Sequence, residues 1–343
     1  MNQHTKPDLE ALARQARMAA VGDAARRTIV HPDHPVPDTP RGESEASPRF
    51  ELFHFTMSIC SQKSRVALLE AGHSFASNEL VIMPPLNENY APEYVQLRMS
   101  SKLAKERPLV GSYSGATDVG KEGFDPLVVP TLVDYETNEV IADSRTITMH
   151  VASVGENTLI PDQNKDDVIK EIDIVDGLPI AGLFYGKNPA GDHRPTAIQK
   201  GMQDAHTRKI EQINLRLEAM APDHPLRKAY AHKIMKEEAG RKFISDEANM
   251  QSLIDHAQNA IRGLDERLSD DRTWATGETF TMADAFWGPS LYRLLYLGYD
   301  WMWADLPKTT AYAERTFERS SIKMGVIKWP GHPPGDTIAR FMG

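Results

Sequence analysis

Hydrophobic periodicity changes once along this chain, near Pro161. Before that point apolar residues gather in short runs suited to strands; beyond it they recur only at helical spacing. "FELFHF" from Phe50 reads as a short buried strand, "SQKSRVALLEAG" as a helix closed by Gly72, and "SFASNELVI" as a second strand. A long segment rich in Gly, Ser and Pro follows. Then "VVPTLVDYETNEVIADS" gives two β runs around the turn-like "YETNE", and "SRTITMHVAS" opens a helix with Ser144 as its expected cap. The order is β-α-β, insertion, β-β-α. Helical stretches at about 165–186, 195–221, 225–242, 245–268, 281–297 and 308–320 complete the chain. The expected fold class is therefore α/β followed by all-α, without internal repeats.

A length of 343 residues implies two packed domains and leaves room for an appendage. We expect an N-terminal extension over 1–48, an α/β domain over 49–155 with an insertion at about 84–126, a helical domain over 162–330 and a tail over 331–343. In the extension, Leu9, Leu12, Ala13 and Ala16 fall at helical spacing, whereas "HPDHPVPDTPRGESEASPR" is too polar and Pro-rich to pack. It is expected to dock as a short helix with an extended arm, or to stay free.

Hydrophobic residues at 41%, charged residues at 25% and a net charge of −9 describe an ordinary globular chain without a basic field for nucleic acid or an anionic membrane. Small-molecule chemistry or protein contact is the expected role. The single cysteine excludes an internal disulfide, and "MNQHTKPDLEALARQARMAA" lacks the apolar core of a signal peptide, which together point to the cytoplasm. No apolar run reaches the roughly 18–20 residues that span a bilayer, so a soluble protein is expected.

Three local features carry chemistry. Cys60, in "FTMSICSQKSR", sits two residues past Ser58 at a helix start, where backbone N–H groups and the helix dipole favour an anion and lower a thiol pKa. Lys63 and Arg65 would act in the same sense if they faced it. Position alone leaves Cys60 open between a reagent and a small buried apolar side chain. Pro130, in "VVPTLVD", removes a ladder donor and belongs at an edge, a strand start or a cis turn. Asp143 and Ser144, in "IADSRT", put a carboxyl and a hydroxyl at a helix start suited to a carboxylate ligand, or serve only as a capping pair.

In this order the three features resemble the glutathione S-transferase superfamily, over about Phe50 to Trp329. "GETFTMADAF" adds a likeness to that family's capping box, Thr281 with Asp284, which is a folding device. The resemblance implies a thioredoxin-like N-terminal domain, β-α-β-α-β-β-α, and an all-helical C-terminal domain. It implies Ser58 as the hydroxyl that stabilises glutathione thiolate. Val129, before the family's cis-proline at Pro130, would offer backbone groups to the cysteinyl part of glutathione; Asp143 and Ser144 would hold its γ-glutamyl end. The insertion stands where the family keeps a short helix, which leaves the glycine end without assigned contacts.

Within the superfamily, "TMSICSQKSR", "FELFHF", the insertion, "GFDPLVVPTLVD" and "WPGHPP" resemble the branch of reductive dehalogenases acting on chlorinated hydroquinones. That likeness implies a route. Glutathione displaces chloride to give an S-glutathionyl hydroquinone, Cys60 takes the sulfur as a mixed disulfide, and a second glutathione releases glutathione disulfide. A thiolate near a helix start suits such exchange, and free glutathione makes a second protein cysteine unnecessary. Tyr185, His232 and Arg293 are candidates for the acid or base. Other glutathione-dependent reactions on aromatics, β-aryl ether cleavage or reduction of a glutathionyl conjugate, use the same frame. A non-enzymatic binding protein with a vestigial site is the third reading. A homodimer follows from the superfamily's habit.

"VGSYSGATDVG" (Val110 to Gly120) lacks the ending of a phosphate loop and has Tyr113 where a hydrolase elbow needs Ser; it is expected to be flexible. "HPDHP" and "HKIMKEE" are read as a loop and a solvated helix face, with no metal site expected. The aromatic cluster "YRLLYLGYDWMW" is expected to build core or a dimer surface ahead of an acceptor pocket.

Overall fold

In the computed structural model, which describes residues 8–20, 27–33 and 48–332, the run Phe50–His54 is a strand buried along its whole length. Its period of two sends Phe50 and Leu52 into one core and Phe53 into another on the opposite face. A strand with apolar groups on both faces needs helices on both sides, and the chain supplies them.

Up to Val154 the elements are α1 (Leu9–Ala20), β1 (Arg27–Val30), β2 (Phe50–His54), α2 (Ile59–Glu70), β3 (Phe75–Glu79), α3 (Pro92–Met99), α4 (Lys102–Glu106), α5 (Val119–Glu122), β4 (Thr131–Asp134), β5 (Glu139–Ala142) and α6 (Ser144–Val154). The sheet has the order β1-β3-β2-β4-β5, with β2 and β3 parallel and the other neighbours antiparallel. Helices α2 and α6 pack together on one face; α1 and α3 pack together on the other. From β2 to α6 the order is the thioredoxin-like one, and α3 is the short helix that the sequence left unread inside the insertion. Pro92 at its first turn was the available signal.

The N-terminal segment is part of this sheet. β1 pairs with β3, from Arg27 opposite Asn78 to Val30 opposite Phe75, and covers an edge that would otherwise stand open. Helix α1 buries Leu9, Ala13 and Ala16, and its Arg17 reaches the fully buried Glu51 carboxylate at 2.6 Å. Asn78 and Tyr135 donate to the same carboxylate. The Pro-rich arm at 34–47 and the tail beyond His332, including Pro333 and Pro334, lie outside the described residues.

The second half comprises α7 (Lys165–Asp176), α8 (Ile180–Tyr185), α9 (Thr196–Met202), α10 (Ala205–Ala219), α11 (Arg227–Ile244), α12 (Glu247–Arg267), α13 (Met282–Tyr296) and α14 (Pro307–Glu318). The expected helix over 165–186 is broken at Gly177–Pro179, where Pro179 has no N–H to continue the ladder. The one over 195–221 is broken at Asp204, whose φ of 55° is left-handed. Helix α13 runs against both α2 and α7 and so joins the halves. It begins at the capping box of Thr281 and Asp284, and Asp284 also accepts from Ala275 and Tyr312 at 2.8 and 2.7 Å. The carboxyl is committed to structure. Among the described residues no helix is long and apolar enough to cross a membrane, and no cluster of three His, Cys, Asp or Glu side chains is placed to hold a metal.

Candidate active site

Ser58, Cys60, Val129, Pro130, Asp143 and Ser144, all singled out in the sequence, line one cavity between the sheet domain and the helical half. Each arrives there for a local reason. Ser58 is the N-cap of α2 and its oxygen accepts from Ser61 N–H at 3.3 Å, which leaves the hydroxyl proton free to donate into the cavity. The loop ahead of it is held by side chains: Gln62 donates to Thr56 O at 3.2 Å, Arg65 donates to the same oxygen at 3.2 Å, and Arg293 donates to Met57 O at 2.6 Å.

The Val129–Pro130 peptide is cis. Helix α3 grips the turn on either side of Val129, because Tyr94 donates to Val128 O at 2.7 Å and Arg98 donates to Pro130 O. Arg98 is 2% exposed and has no carboxylate within ion-pair distance among the described residues.

At α6 the cap differs from the expected one. Asp143 is the N-cap, accepting from Arg145 and Thr146 N–H at 3.1 and 3.2 Å, and Ser144 is the first helical residue. Asp143 holds a φ of 78°, a left-handed conformation rare outside glycine and concentrated at functional sites. Burial, followed by the charge of Asp176, pushes its carboxyl up to about 6. Asp176 is neutralised by Lys63 at 2.8 Å, whereas Asp143 forms no ion pair among the described residues and has only the charge of Arg98 acting on it in the opposite sense. A buried acid at a helix N-terminus without an ion-pair partner among the described residues, beside N–H groups that favour an anion, fits a ligand carrying both an ammonium and a carboxylate. The γ-glutamyl end of glutathione is such a group.

Cys60 is partly buried, and its sulfur lies 3.2 Å from the Thr117 hydroxyl. Here the lowered thiol pKa expected from position is reversed. Burial pushes the Cys60 thiol up, and Lys63 and the Thr117 and Ser144 hydroxyls only partly counter it. Arg65 contributes nothing, since it turns away to Gly325 O at 2.8 Å and stacks under Trp329.

The three acid-base candidates separate. Tyr185 and Arg293 line the cavity, and His232 does not: its ring bonds Val110 O at 2.9 Å and pins the insertion. Tyr185 accepts from Lys209 Nζ at 2.6 Å.

The insertion, expected to be flexible over 110–120, is packed. Tyr113 is wedged against His206 and Phe243, and Gly115 O accepts from Gly182 N–H at 2.7 Å. The "HKIMKEE" run is likewise not a solvated face. Lys233 bonds Asp125 at 2.7 Å and Glu237 at 2.9 Å, and Lys236 bonds Glu122 at 2.8 Å. Against burial, Asp125 and Glu237 hold the Lys233 ammonium well above its ordinary value, and Lys209 and Lys233 hold Glu237 well below its own. Isolated charges could not stay there, so the pairs fix the insertion over the cavity. The i, i+3, i+4 spacing of Lys233, Lys236 and Glu237 was visible, but its partners 108 residues away were not. Of "YRLLYLGYDWMW", Tyr292, Tyr296 and Tyr299 are core, and Trp301 is exposed.

Similarity to known proteins follows the same lines. The family model described as the glutathione S-transferase C-terminal domain matches residues 245–315. A 2,5-dichlorohydroquinone reductive dechlorinase of Sphingobium indicum is 42% identical over 341 residues, 98% of this chain and 98% of that one. A tetrachloro-p-hydroquinone reductive dehalogenase of Sphingobium chlorophenolicum is 26% identical over 83% of this chain and 99% of that one. Among solved structures, a β-etherase of Sphingobium sp. strain SYK-6 superposes with a TM-score of 0.53 over 82% of this chain and 99% of that one; at 14% identity this is a likeness of fold. The chain belongs to the glutathione S-transferase superfamily, in the family that holds the hydroquinone reductive dechlorinases.

Proposed function

We propose that this protein is a glutathione-dependent reductive dehalogenase that removes chloride from chlorinated hydroquinones. The observation that carries the reading is the placement of its one cysteine. Cys60 Sγ faces the cavity that Ser58, the Val129–Pro130 turn and the α6 N-terminus also line, within 3.2 Å of Thr117. A transferase that only joined glutathione to an acceptor would use Ser58 and have no need of a second sulfur there. The relatives' names support the same substrate class.

In this reading residues 49–155 hold glutathione and residues 162–330, with the insertion as cover, hold the aromatic ring. Ser58 donates to glutathione thiolate, the Val129 backbone aligns the cysteinyl unit, and Asp143 with Ser144 holds the γ-glutamyl end. The thiolate replaces chloride on a quinoid tautomer of the substrate. Cys60 then takes the glutathionyl sulfur and frees the reduced hydroquinone, and a second glutathione regenerates Cys60. No metal takes part, and the glutathione dependence suits a reducing cytoplasm. A homodimer is the assembly the superfamily suggests.

The test is a product assay in which chloride, hydroquinone and glutathione are counted together. The intact protein should consume two glutathiones per chloride. Cys60→Ser should still release chloride while the S-glutathionyl hydroquinone accumulates, visible by mass spectrometry. Complete reduction by Cys60→Ser would sink the scheme. Cleavage of a β-aryl ether without chloride release from any chlorinated hydroquinone would move the chain to the etherase reading.

A further inference from the structure

Arg293 is the one cation of helix α13 that lines the cavity, and its surroundings are unusual for an arginine. It is 2% exposed and forms no ion pair with a carboxylate among the described residues. One terminal nitrogen donates to Met57 O at 2.6 Å and to Gln62 Oε1 at 3.2 Å; Nε is buried without a partner. The plane lies 5.3 Å from the centre of the Phe184 ring, which also faces the cavity. Burying a guanidinium without a counter-charge is costly, and an unpaired buried N–H adds about 1–3 kcal/mol. Sites accept such costs where a ligand supplies the missing partner.

From this geometry we infer that Arg293 binds the ring oxygen of the aromatic substrate and stabilises the negative charge that develops on it when Cys60 removes the glutathionyl sulfur. The inference rests on the dehalogenase reading and adds a residue to it.

The chemistry requires such a group. The conjugate reacts as its keto tautomer, with hydrogen and the glutathionyl sulfur on a ring carbon beside the carbonyl. Cys60, its thiol proton lost to solvent, forms an S–S bond with that sulfur, and the S–C bond breaks. Its electron pair passes into the ring and onto the adjacent oxygen. The two sulfurs are oxidised to a disulfide, and the ring leaves as a hydroquinone phenolate that water protonates. The oxygen that gains charge is three bonds from the sulfur under attack, so its donor must sit near Cys60. Arg293 meets this condition, since it and Cys60 line the same cavity. Burial lowers the guanidinium only to about 10, so it remains a hydrogen-bond donor and cannot act as a base near neutrality. Preorganised donors of this kind account for roughly 10²–10³ in rate each.

The test uses the full chain with Arg293→Gln and Arg293→Lys. 4-Nitrophenol serves as a probe of the oxygen site, because its phenolate is coloured and needs no chlorine. The bound phenol should ionise at lower pH than the free one in the unsubstituted protein. This shift should vanish in Arg293→Gln and shrink in Arg293→Lys. With a synthetic S-glutathionyl hydroquinone, single-turnover release of hydroquinone should fall roughly 10²–10³-fold in Arg293→Gln, with glutathione affinity held within about threefold. If Arg293→Gln does not fold, Arg293→Lys carries the same comparison, since its ammonium can keep the Met57 contact and lacks the planar fork. The inference is overturned if the nitrophenol shift is absent in the unsubstituted protein or survives in Arg293→Gln. It is overturned equally if glutathione affinity and hydroquinone release fall by the same factor, because Arg293 would then only prop the Met57 loop. An Arg293-dependent shift in a protein that dechlorinates no hydroquinone would retain the oxygen site and reject the dehalogenase reading.

Discussion

Asp143 shows how one residue is set for its ligand. The folded protein holds the Asp143 proton up to about 6, by burial and the neighbouring Asp176, against an ordinary value of 3.8. The sign follows from linkage: stability from the protonated form is fully present below the unfolded value and is lost as pH rises through about 6. At neutral pH the ionised carboxylate therefore opposes folding, offset only in part by Arg98, until a ligand cation meets it. A bound γ-glutamyl ammonium would be that cation, so glutathione affinity should strengthen as pH rises from 5 to 7, roughly the span of that titration. Asp143→Asn keeps the α6 cap and removes the charge. It should weaken glutathione roughly 10–100-fold at pH 7.5, flatten the pH dependence and raise the melting temperature at that pH. Calorimetric titration and thermal unfolding check each part; an unchanged pH profile in the variant would remove Asp143 from the ligand.

At the scale of elements, the insertion decides access to Cys60. Its contact with α8 is backbone on backbone, and both positions are glycine. A Cβ on Gly182 would stand 2.3 Å from Leu253 Cδ1 and 3.1 Å from Gly115 Cα. Gly182→Ala should therefore displace the Leu253 side chain and loosen the Tyr113–Thr117 stretch against the helical half, at a cost of about 1–3 kcal/mol for overpacking. Limited proteolysis should cut within 110–123 more readily, and iodoacetamide should reach Cys60 faster, than in the unsubstituted protein. An equally protected loop would mean that the ion pairs of Lys233 and Lys236 with Asp125 and Glu122 hold the cover without the glycine contact.

For the whole molecule, the N-terminal segment is the unexpected participant. Glu51 in the central strand is fully buried, and its cation comes from Arg17, 34 residues earlier. Removing that cation leaves a buried carboxylate with only hydrogen bonds and Arg27 at 3.9 Å. Arg17→Met should cost about 3 kcal/mol, read as a lower denaturation midpoint with an unchanged slope. Glu51→Gln in the same chain should recover part of the loss. A neutral Arg17→Met would show that the Arg17–Glu51 ion pair is dispensable to the sheet.

The sequence by itself determined the order of elements from β2 to β3 and from β4 to α6, because period two and period 3.6 are written locally, but not β1, α3 or the breaks in the long helices. It also determined the frame of the site. Ser58, Asp143 and Ser144 are end-of-helix residues whose capping chemistry acts within three positions, and Pro130 constrains its own peptide. Tertiary structure alone decided the ionisation of Cys60, the covering of the cavity by 110–123, the burial of Lys233 and Glu237, and the isolation of Arg293. Each depends on desolvation and on partners distant in the chain, and neither is encoded in the spacing of neighbouring residues.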